Sequence, residues 1–270
     1  MSPERPERTT LGGKGPLFEK RVLVTRAAHQ AGAFAAELAA RGALPSIAPA
    51  IAIGPPDDDR DALDAIDEIG SYAWVAFTSR NGVDAFFERF ASPADGARAL
   101  GGVKVAAIGG KTAQRLSHFG VRADLVPEIF VGEEIARALV ERTQPGDGVV
   151  IFRAQEARDV LPRMLEDAGR RARAVAAYKT TFAHDDGFAA KVAAADVLTF
   201  ASASSVRGFV ALLGGEGAAR NAARGKTIAC VGPVVARAAE EAGLTVDVIG
   251  RPYTTAGLIE ALCAHVASRP

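Results

Sequence analysis

The chain has 270 residues, 49% of them hydrophobic, and its 32 basic and 32 acidic side chains give a formal net charge of zero. That apolar content supports one large folded domain or two ordinary ones, and the balanced charge gives no support for a nucleic-acid or anionic-membrane partner. The two cysteines, Cys230 and Cys263, lie in apolar segments, which fits buried thiols in a reducing cytoplasm rather than a disulfide scaffold, and no apolar run approaches the ~20 residues of a membrane span.

Residues 1–19 are polar, rich in Gly and Pro, and lack the apolar core of a signal peptide, so they read as a disordered leader. Beyond them, short β-branched runs alternate with longer Ala/Leu/Arg-rich runs, the signature of an α/β chain. Arg21–Thr25 is expected as a strand, His29–Arg41 as a helix ended by Gly42, and Leu44–Ala48 as a strand. Ile51-Ala52-Ile53 reads as a short connecting strand, Asp57–Ile69 as an acidic amphipathic helix, Trp74–Thr78 as a strand and Asn81–Phe90 as a helix. Ser92–Gly102 is a loop or short helix, followed by Val103–Ile108 (strand), Lys111–Phe119 (helix), Asp124–Val126 (strand) and Gly132–Arg142 (helix). The second half gives Val149–Phe152 (strand), Asp159–Ala168 (helix) and a longer strand at Arg173–Thr181. Val197–Phe200, Ser205–Leu213, Thr227–Val231, Pro233–Ala242, Thr245–Ile249 and Thr255–Ala267 then alternate as strand and helix. Strands joined by helical crossovers imply doubly wound parallel sheets with helices on both faces.

The halves repeat one plan. Ala76-Phe77-Thr78-Ser79 returns as Thr199-Phe200-Ala201-Ser202, and Val105-Ala106-Ala107-Ile108-Gly109 as Ile228-Ala229-Cys230-Val231-Gly232, each 123 positions later. Val22–Thr25 matches Val149–Phe152 at an offset of 127. The order is therefore A-B-C then A′-B′-C′, where A is strand–helix–strand. Composition leaves open whether A packs with B and C or crosses to B′ and C′. Two such arrays in one chain can hold a ligand between them.

Ligands of open α/β sheets bind beyond the carboxyl ends of the strands. The residues in those positions are Thr25, Arg26, Thr78, Ser79, Arg80, Asn81, Gly109, Lys111, Thr112, Arg153, Ser202, Ser204 and Gly232, and Thr254 precedes the last helix. Hydroxyls, glycines and helix-opening amides suit a ligand with many carboxylates or phosphates. Each also has a plainer role: Ser79, Asn81, Ser202, Ser204 and Thr254 are good helix N-caps, and the glycines suit tight turns. No P-loop, Rossmann fingerprint or G-x-S-x-G elbow is present. His29, His118, His184 and His265 are scattered without metal-ligand spacing, so no metal is expected. Tyr178, one of three tyrosines, sits in the long connecting strand, where a neutral phenol can donate a hydrogen bond or proton. Tyr253 lies in a loop before the last helix.

Taken in order, Val24-Thr25-Arg26, Phe77-Thr78-Ser79, Ile108-Gly109 with Thr112-Ala113, Ala177-Tyr178-Lys179-Thr180, Phe200-Ala201-Ser202, Val231-Gly232-Pro233 with Ala236-Arg237-Ala238, and Thr254-Thr255 before Leu258 resemble the uroporphyrinogen-III synthase family over about residues 21–267. The resemblance implies two flavodoxin-like α/β domains from an interleaved duplication, domain one at 20–49 plus 182–270 and domain two at 54–175. They would be joined by a two-stranded antiparallel linker at 50–53 and 176–181. It implies closure of the linear tetrapyrrole hydroxymethylbilane to uroporphyrinogen III, with loss of water and inversion of the last ring, without cofactor or metal; the sequence itself leaves the oligomeric state open, with a monomer as the default. Tyr178 then matches the family's functional tyrosine, as the acid for the leaving hydroxyl. Thr78, Ser79, Thr112, Ser202 and the Gly232 turn would bind carboxylates, with Arg26, Arg80, Lys111 and Arg153 as further candidates. The chain departs from the pattern at Val234-Val235, where relatives carry a hydroxyl, at Ala27 in place of proline, and at Ala201 in place of a hydroxyl residue. The alternative reading is a noncatalytic two-domain binding or regulatory protein.

Overall fold

Val22, Leu23 and Val24 are all inaccessible to solvent, and so are Val75, Ala76 and Phe77. Continuous burial along a strand requires neighbours on both sides and helices on both faces, the environment of a central parallel strand. The computed structural model describes residues 15–268. The chain runs through β1 (Arg21–Val24), α1 (Ala28–Ala40), β2 (Leu44–Ile47), β3 (Ile51–Gly54), α2 (Arg60–Asp67), β4 (Trp74–Phe77), α3 (Arg80–Phe87), α4 (Pro93–Ala99), β5 (Lys104–Ala107), α5 (Gly110–His118) and α6 (Gly132–Val140). It continues through β6 (Gly148–Ala154), α7 (Val160–Asp167), β7 (Arg171–Phe182), α8 (Phe188–Ala194), β8 (Val197–Phe200), α9 (Ala203–Leu212), α10 (Glu216–Ala223), β9 (Thr227–Cys230), α11 (Pro233–Glu241), β10 (Val248–Ile249) and α12 (Thr255–Ala267).

These elements form two compact units: one holds the chain up to Ala52 and from Thr181 onward, the other Ile53–Thr180. In the first unit the sheet order is β2-β1-β8-β9-β10, with every neighbouring pair parallel. In the second it is β3-β7-β6-β4-β5, with β7/β6, β6/β4 and β4/β5 parallel. Block A therefore pairs with B′ through β1 and β8, and block A′ pairs with B through β6 and β4. The two halves of the sequence are interleaved in space.

The crossed pairing is held by more than the ladder. The Thr25 hydroxyl donates to the Thr199 carbonyl and the Thr199 hydroxyl to the Leu23 carbonyl, both at 2.7 Å. Asp196 accepts from the Arg21 amide at 2.9 Å and pairs with its guanidinium at 2.7 Å. The duplication shows again in the edge turns. The Asp124 carboxylate accepts from the Val105 amide at 2.7 Å, and Asp247 from the Ile228 amide at 2.9 Å, each partner pair 123 residues from its twin.

Each sheet is covered on both faces. In the first unit Leu23, Leu198, Phe200, Ile228 and Cys230 pack with α8, α9, α10 and α11, while Val22, Val24, Val197 and Ala229 pack with α1 and α12. In the second, Val75, Phe77, Val105, Val150 and Phe152 pack with α2, α3 and α5, and Trp74, Ala76, Val149 and Ile151 with α6 and α7. Burying a large apolar side chain contributes about 1.5–3 kcal/mol, so Phe77, Phe86 and Phe152, fully buried and in mutual ring contact, anchor this unit.

Several expectations change. Of the leader, residues 1–14 lie outside the described residues, but 15–19 form a turn whose Leu17 is fully buried and whose amide donates to the Arg41 carbonyl at 3.0 Å. The acidic helix starts at Arg60 rather than Asp57, because Asp57 is engaged with Gln155 and Lys179. The strand expected at Asp124–Val126 is a single bridge, Ala106 to Leu125. Two helices not anticipated, α8 and α10, are short and bury few side chains, Phe188 and Val192 in one and Ala219 and Ala223 in the other. That spacing of four is too brief a pattern to stand out in sequence.

Candidate functional site

Where the winding of parallel strands reverses, with the chain moving outward in opposite directions from two adjacent strands, the crevice outside their carboxyl ends is where such sheets bind ligands. In the first unit that point lies between β1 and β8, and in the second between β6 and β4.

In the second unit it is built around Tyr178. Strand β7 is twelve residues long and pairs with β6 in regular register to Arg153, where the pairing slips so that Ala154 faces Tyr178. The Gln155 amide then donates to the Tyr178 carbonyl at 2.8 Å, carrying the chain past the end of the sheet. The Tyr178 ring is only 7% exposed, and its hydroxyl lies 2.9 Å from Ser79 Oγ. Ser79 is the N-cap of α3 and accepts from the Gly82 amide at 2.9 Å. A Cβ on Gly82 would meet the Phe152 carbonyl oxygen at 3.1 Å, so the glycine lets this capped turn sit against β6. Burial pushes the Tyr178 phenol above its ordinary value; Glu156 adds to that, while hydrogen bonds from Ser79 and Asn81 oppose it. A phenol held this way stays protonated and acts as a neutral donor.

Tyr178 lines a cavity of about 230 Å³ together with Thr78, Ile108, Gly132, Arg153 and Leu161. The Thr78 hydroxyl reaches the Phe152 carbonyl only at 3.5 Å. Arg153 donates to the Arg158 carbonyl at 3.0 Å and pairs with Asp159 at 2.6 Å, which holds the Asp159 carboxyl below its usual range. Its charge is thus partly answered by the loop it orders. Gly109 is the buried N-cap of α5, Lys111 stands exposed in its first turn, and Thr112 is buried at 4% exposure. Arg80, half-buried at the start of α3, is not among the residues lining this cavity.

In the first unit, Thr25 is fully buried with its hydroxyl engaged by Thr199, so it braces the sheet and offers a ligand no side-chain contact. Arg26 donates to Gln30 Oε1 at 2.9 Å. Ser202 caps α9 in a reciprocal box with Ser205, and its hydroxyl lies 3.0 Å from that of Ser204. Thr254 caps α12, accepting from the Gly257 amide at 3.1 Å. Gly232 lies buried beneath Tyr253, which is itself 61% exposed. The offset of 127 places Ile51 where the other unit has Tyr178, so Ser202 bonds a neighbouring serine where Ser79 bonds a phenol. The repeat is chemically unequal at this point.

Asn81, which reads from sequence both as a strand-end candidate and as a cap, hydrogen-bonds Tyr178. One residue was not singled out from sequence. Phe130, 63% exposed, lies over Gly109 as Tyr253 lies over Gly232, and the 123 offset relating 130 to 253 was the signal that marks it. Larger cavities of about 430 and 490 Å³ lie in the first unit at the amino ends of its strands, around Arg21, Asp196, Lys226 and Thr227 and around Arg220 and Asp247. They hold none of the motif residues, and the strand-end rule favours the opposite edge.

The sequence matches the family description "Uroporphyrinogen-III synthase HemD" over residues 32–260. A "Porphyrin biosynthesis protein HemD" of Ruminiclostridium josui is 32% identical over 202 residues, covering 73% of this chain; the chain spans 40% of that longer relative. A uroporphyrinogen-III synthase of Synechococcus elongatus is 30% identical over 254 residues, covering 92% of this chain and 96% of the relative. Among solved structures, a mutant uroporphyrinogen III synthase of Thermus thermophilus aligns with a TM-score of 0.62 at 17% identity, over 93% of this chain and 100% of that one. A Helicobacter pylori uroporphyrinogen-III synthetase aligns at 0.60 and 17%, over 92% and 99%. At such identities the likeness of the structures is one of fold.

Proposed function

The chain belongs to the uroporphyrinogen-III synthase family, and on that premise we propose that it closes hydroxymethylbilane to uroporphyrinogen III as a cyclising hydro-lyase. The observation that carries the reading is the Tyr178–Ser79 pair, a buried phenol 2.9 Å from a capping serine, on the wall of a cavity at the switch point of a parallel sheet.

In this reading Tyr178 donates to the hydroxyl of the linear tetrapyrrole as it departs. Loss of that hydroxyl leaves an electrophilic azafulvene, and the substituted carbon of the last pyrrole attacks it. The spiro intermediate fragments and recloses with the ring inverted. The protein supplies positioning and a neutral proton donor. Ser79 and Asn81 fix the phenol's direction, and burial keeps it protonated. Thr78 and Arg153 line the same cavity and meet substrate carboxylates there, with Gly109 and Lys111 at the neighbouring strand end, while Ser202, Ser204, Gly232 and Thr254 hold the equivalent strand ends of the first unit. Arg26 and Arg80 remain as longer-range cations. The protein works as a monomer in the reducing cytoplasm.

The test is to supply hydroxymethylbilane and resolve the oxidised products into type I and type III isomers. A type III product at a rate above spontaneous closure is expected. Type I alone, from folded protein, refutes the reading.

A further inference from the structure

Gly109 and Gly232 have nearly the same backbone, with φ of −174° and −173°, an extended conformation open to any residue. Their lack of a side chain therefore has another cause. A Cβ on Gly109 would fall 2.8 Å from Cγ and Cδ1 of Phe130, and one on Gly232 would fall 3.3–3.5 Å from Cβ, Cγ and Cδ1 of Tyr253. In each unit an aromatic ring occupies the space above a buried glycine at the carboxyl end of a strand.

The two arrangements are copies. Phe130 and Tyr253 are 123 residues apart, as are Gly109 and Gly232, and each ring immediately precedes the N-cap of a helix, Val131 for α6 and Thr254 for α12. Both rings keep most of their area in solvent, 63% and 61%. The neighbouring Ile129 and, two residues past Gly232, Val234 are exposed as well, at 61% and 76%. Each ring packs over its glycine yet keeps an open face at the carboxyl ends of the strands, the edge where such sheets bind ligands. In the second unit, Ile108 and Gly132, which flank Gly109 and Phe130 in sequence, line the Tyr178 cavity.

We propose that Phe130 and Tyr253 are stacking platforms, each offering its face to a pyrrole ring at the strand ends of its own unit and so setting where that ring's carboxylate arms fall. This rests on the function proposed above. Offset stacking of aromatic rings suits a flat, electron-rich heterocycle, and Val234, two residues past Gly232, adds an exposed apolar side chain. Neither ring moves a proton. Their part is in binding and in the posture of the chain that decides which isomer forms.

The experiment compares Phe130→Ala, Tyr253→Ala and Tyr253→Phe with the unaltered chain, reading KM, kcat, melting temperature and the share of type III product. Each alanine variant is expected to raise KM about 2- to 10-fold, the scale of an aromatic pair, with kcat changed less than the KM and the type III share lowered. Tyr253→Phe should restore the original KM. A further readout uses Phe130→Trp: the chain's single tryptophan, Trp74, is 3% exposed, so a new exposed indole should be quenched on adding product. Alanine variants with unchanged KM, from an unaltered chain that makes type III, overturn the platforms alone. A Tyr253→Phe variant as weak as Tyr253→Ala overturns stacking at that ring in favour of its hydroxyl. An unaltered chain that makes only type I overturns the function and the platforms together. If an alanine variant does not fold, the Phe130→Trp quench and the Tyr253→Phe kinetics still decide.

Discussion

Tyr178→Phe keeps the buried ring and removes one oxygen, so its effects on fold and on turnover can be separated. The ring is 7% exposed and remains packed; what is lost is the contact with Ser79 Oγ at 2.9 Å and that with Asn81. Ser79 still accepts from the Gly82 amide, so no buried group is left without a partner there. The stability cost is then about 0.5–1.5 kcal/mol, a fall of a few degrees in melting temperature for a chain of this size. A donor to a leaving oxygen that gathers charge is worth about 1.5–3 kcal/mol, or roughly 10- to 100-fold in kcat. Because the substrate's hydroxyl departs readily unaided, the low end is expected. Ser79→Ala supplies the contrast: losing the α3 cap costs about 1 kcal/mol, yet the phenol remains, so stability falls more and kcat less. The assay is single-turnover formation of uroporphyrinogen III beside thermal unfolding. A Tyr178→Phe variant with kcat within twofold of the original, or one that loses less turnover than Ser79→Ala, refutes the donor role. The sign of the pH dependence also follows. Burial raises the phenol above its usual value of about 10. Below that pH the phenol is protonated in folded and unfolded chains alike and adds no pH dependence. Above it the unfolded chain ionises first, so stability falls as pH rises further. No descending limb of kcat below about pH 10 should trace to Tyr178.

Gly109→Ala should push Phe130 aside and raise KM more than Gly232→Ala does, because its Cβ would meet the ring at 2.8 Å against 3.3 Å; equal effects would count against the ring contact. Val131, the N-cap of α6, makes no side-chain cap bond, whereas its counterpart Thr254 does, so Val131→Thr should stabilise the fold by about 0.5–1 kcal/mol in denaturant titration. The Arg21 guanidinium, through its hydrogen bonds, holds the Asp196 carboxyl down at about 2. Its contribution is present above the unfolded value of about 3.9 and lost as pH falls through about 2. Asp196→Asn should therefore flatten the stability profile in that window, with only a small loss near neutral pH because the pair is partly exposed.

The strands were legible because Val22–Val24, Trp74–Phe77 and Val197–Phe200 are buried on both faces, and such runs carry few polar residues. The interleaving was not. Local patterning says that Arg21–Val24 is a strand, but its pairing with Val197–Thr199 is a contact over some 175 residues that no local signal encodes, and only the resemblance pointed to it. Tyr178 could be picked out by its place in the long strand, whereas its partner Ser79 lies 99 residues away and read equally well as a cap; in the fold it is both. Thr25 misled for the converse reason. A hydroxyl just past a strand resembles a ligand contact, but here it turns into the sheet to bond Thr199. Phe130 belongs to no motif of its own; its place over Gly109 marks it, together with the 123-residue offset that pairs it with Tyr253.

The most direct measurement of where the tetrapyrrole binds is mapping of backbone amide shifts on titration with the reaction product. Binding at the carboxyl ends of the strands predicts perturbation of Ser79, Gly109–Lys111, Ser202–Ser204 and the Gly232 turn, with saturation of Tyr178. Perturbation confined to Arg21, Asp196 and Gly225–Thr227, around the cavity of about 430 Å³ at the amino ends, would contradict it.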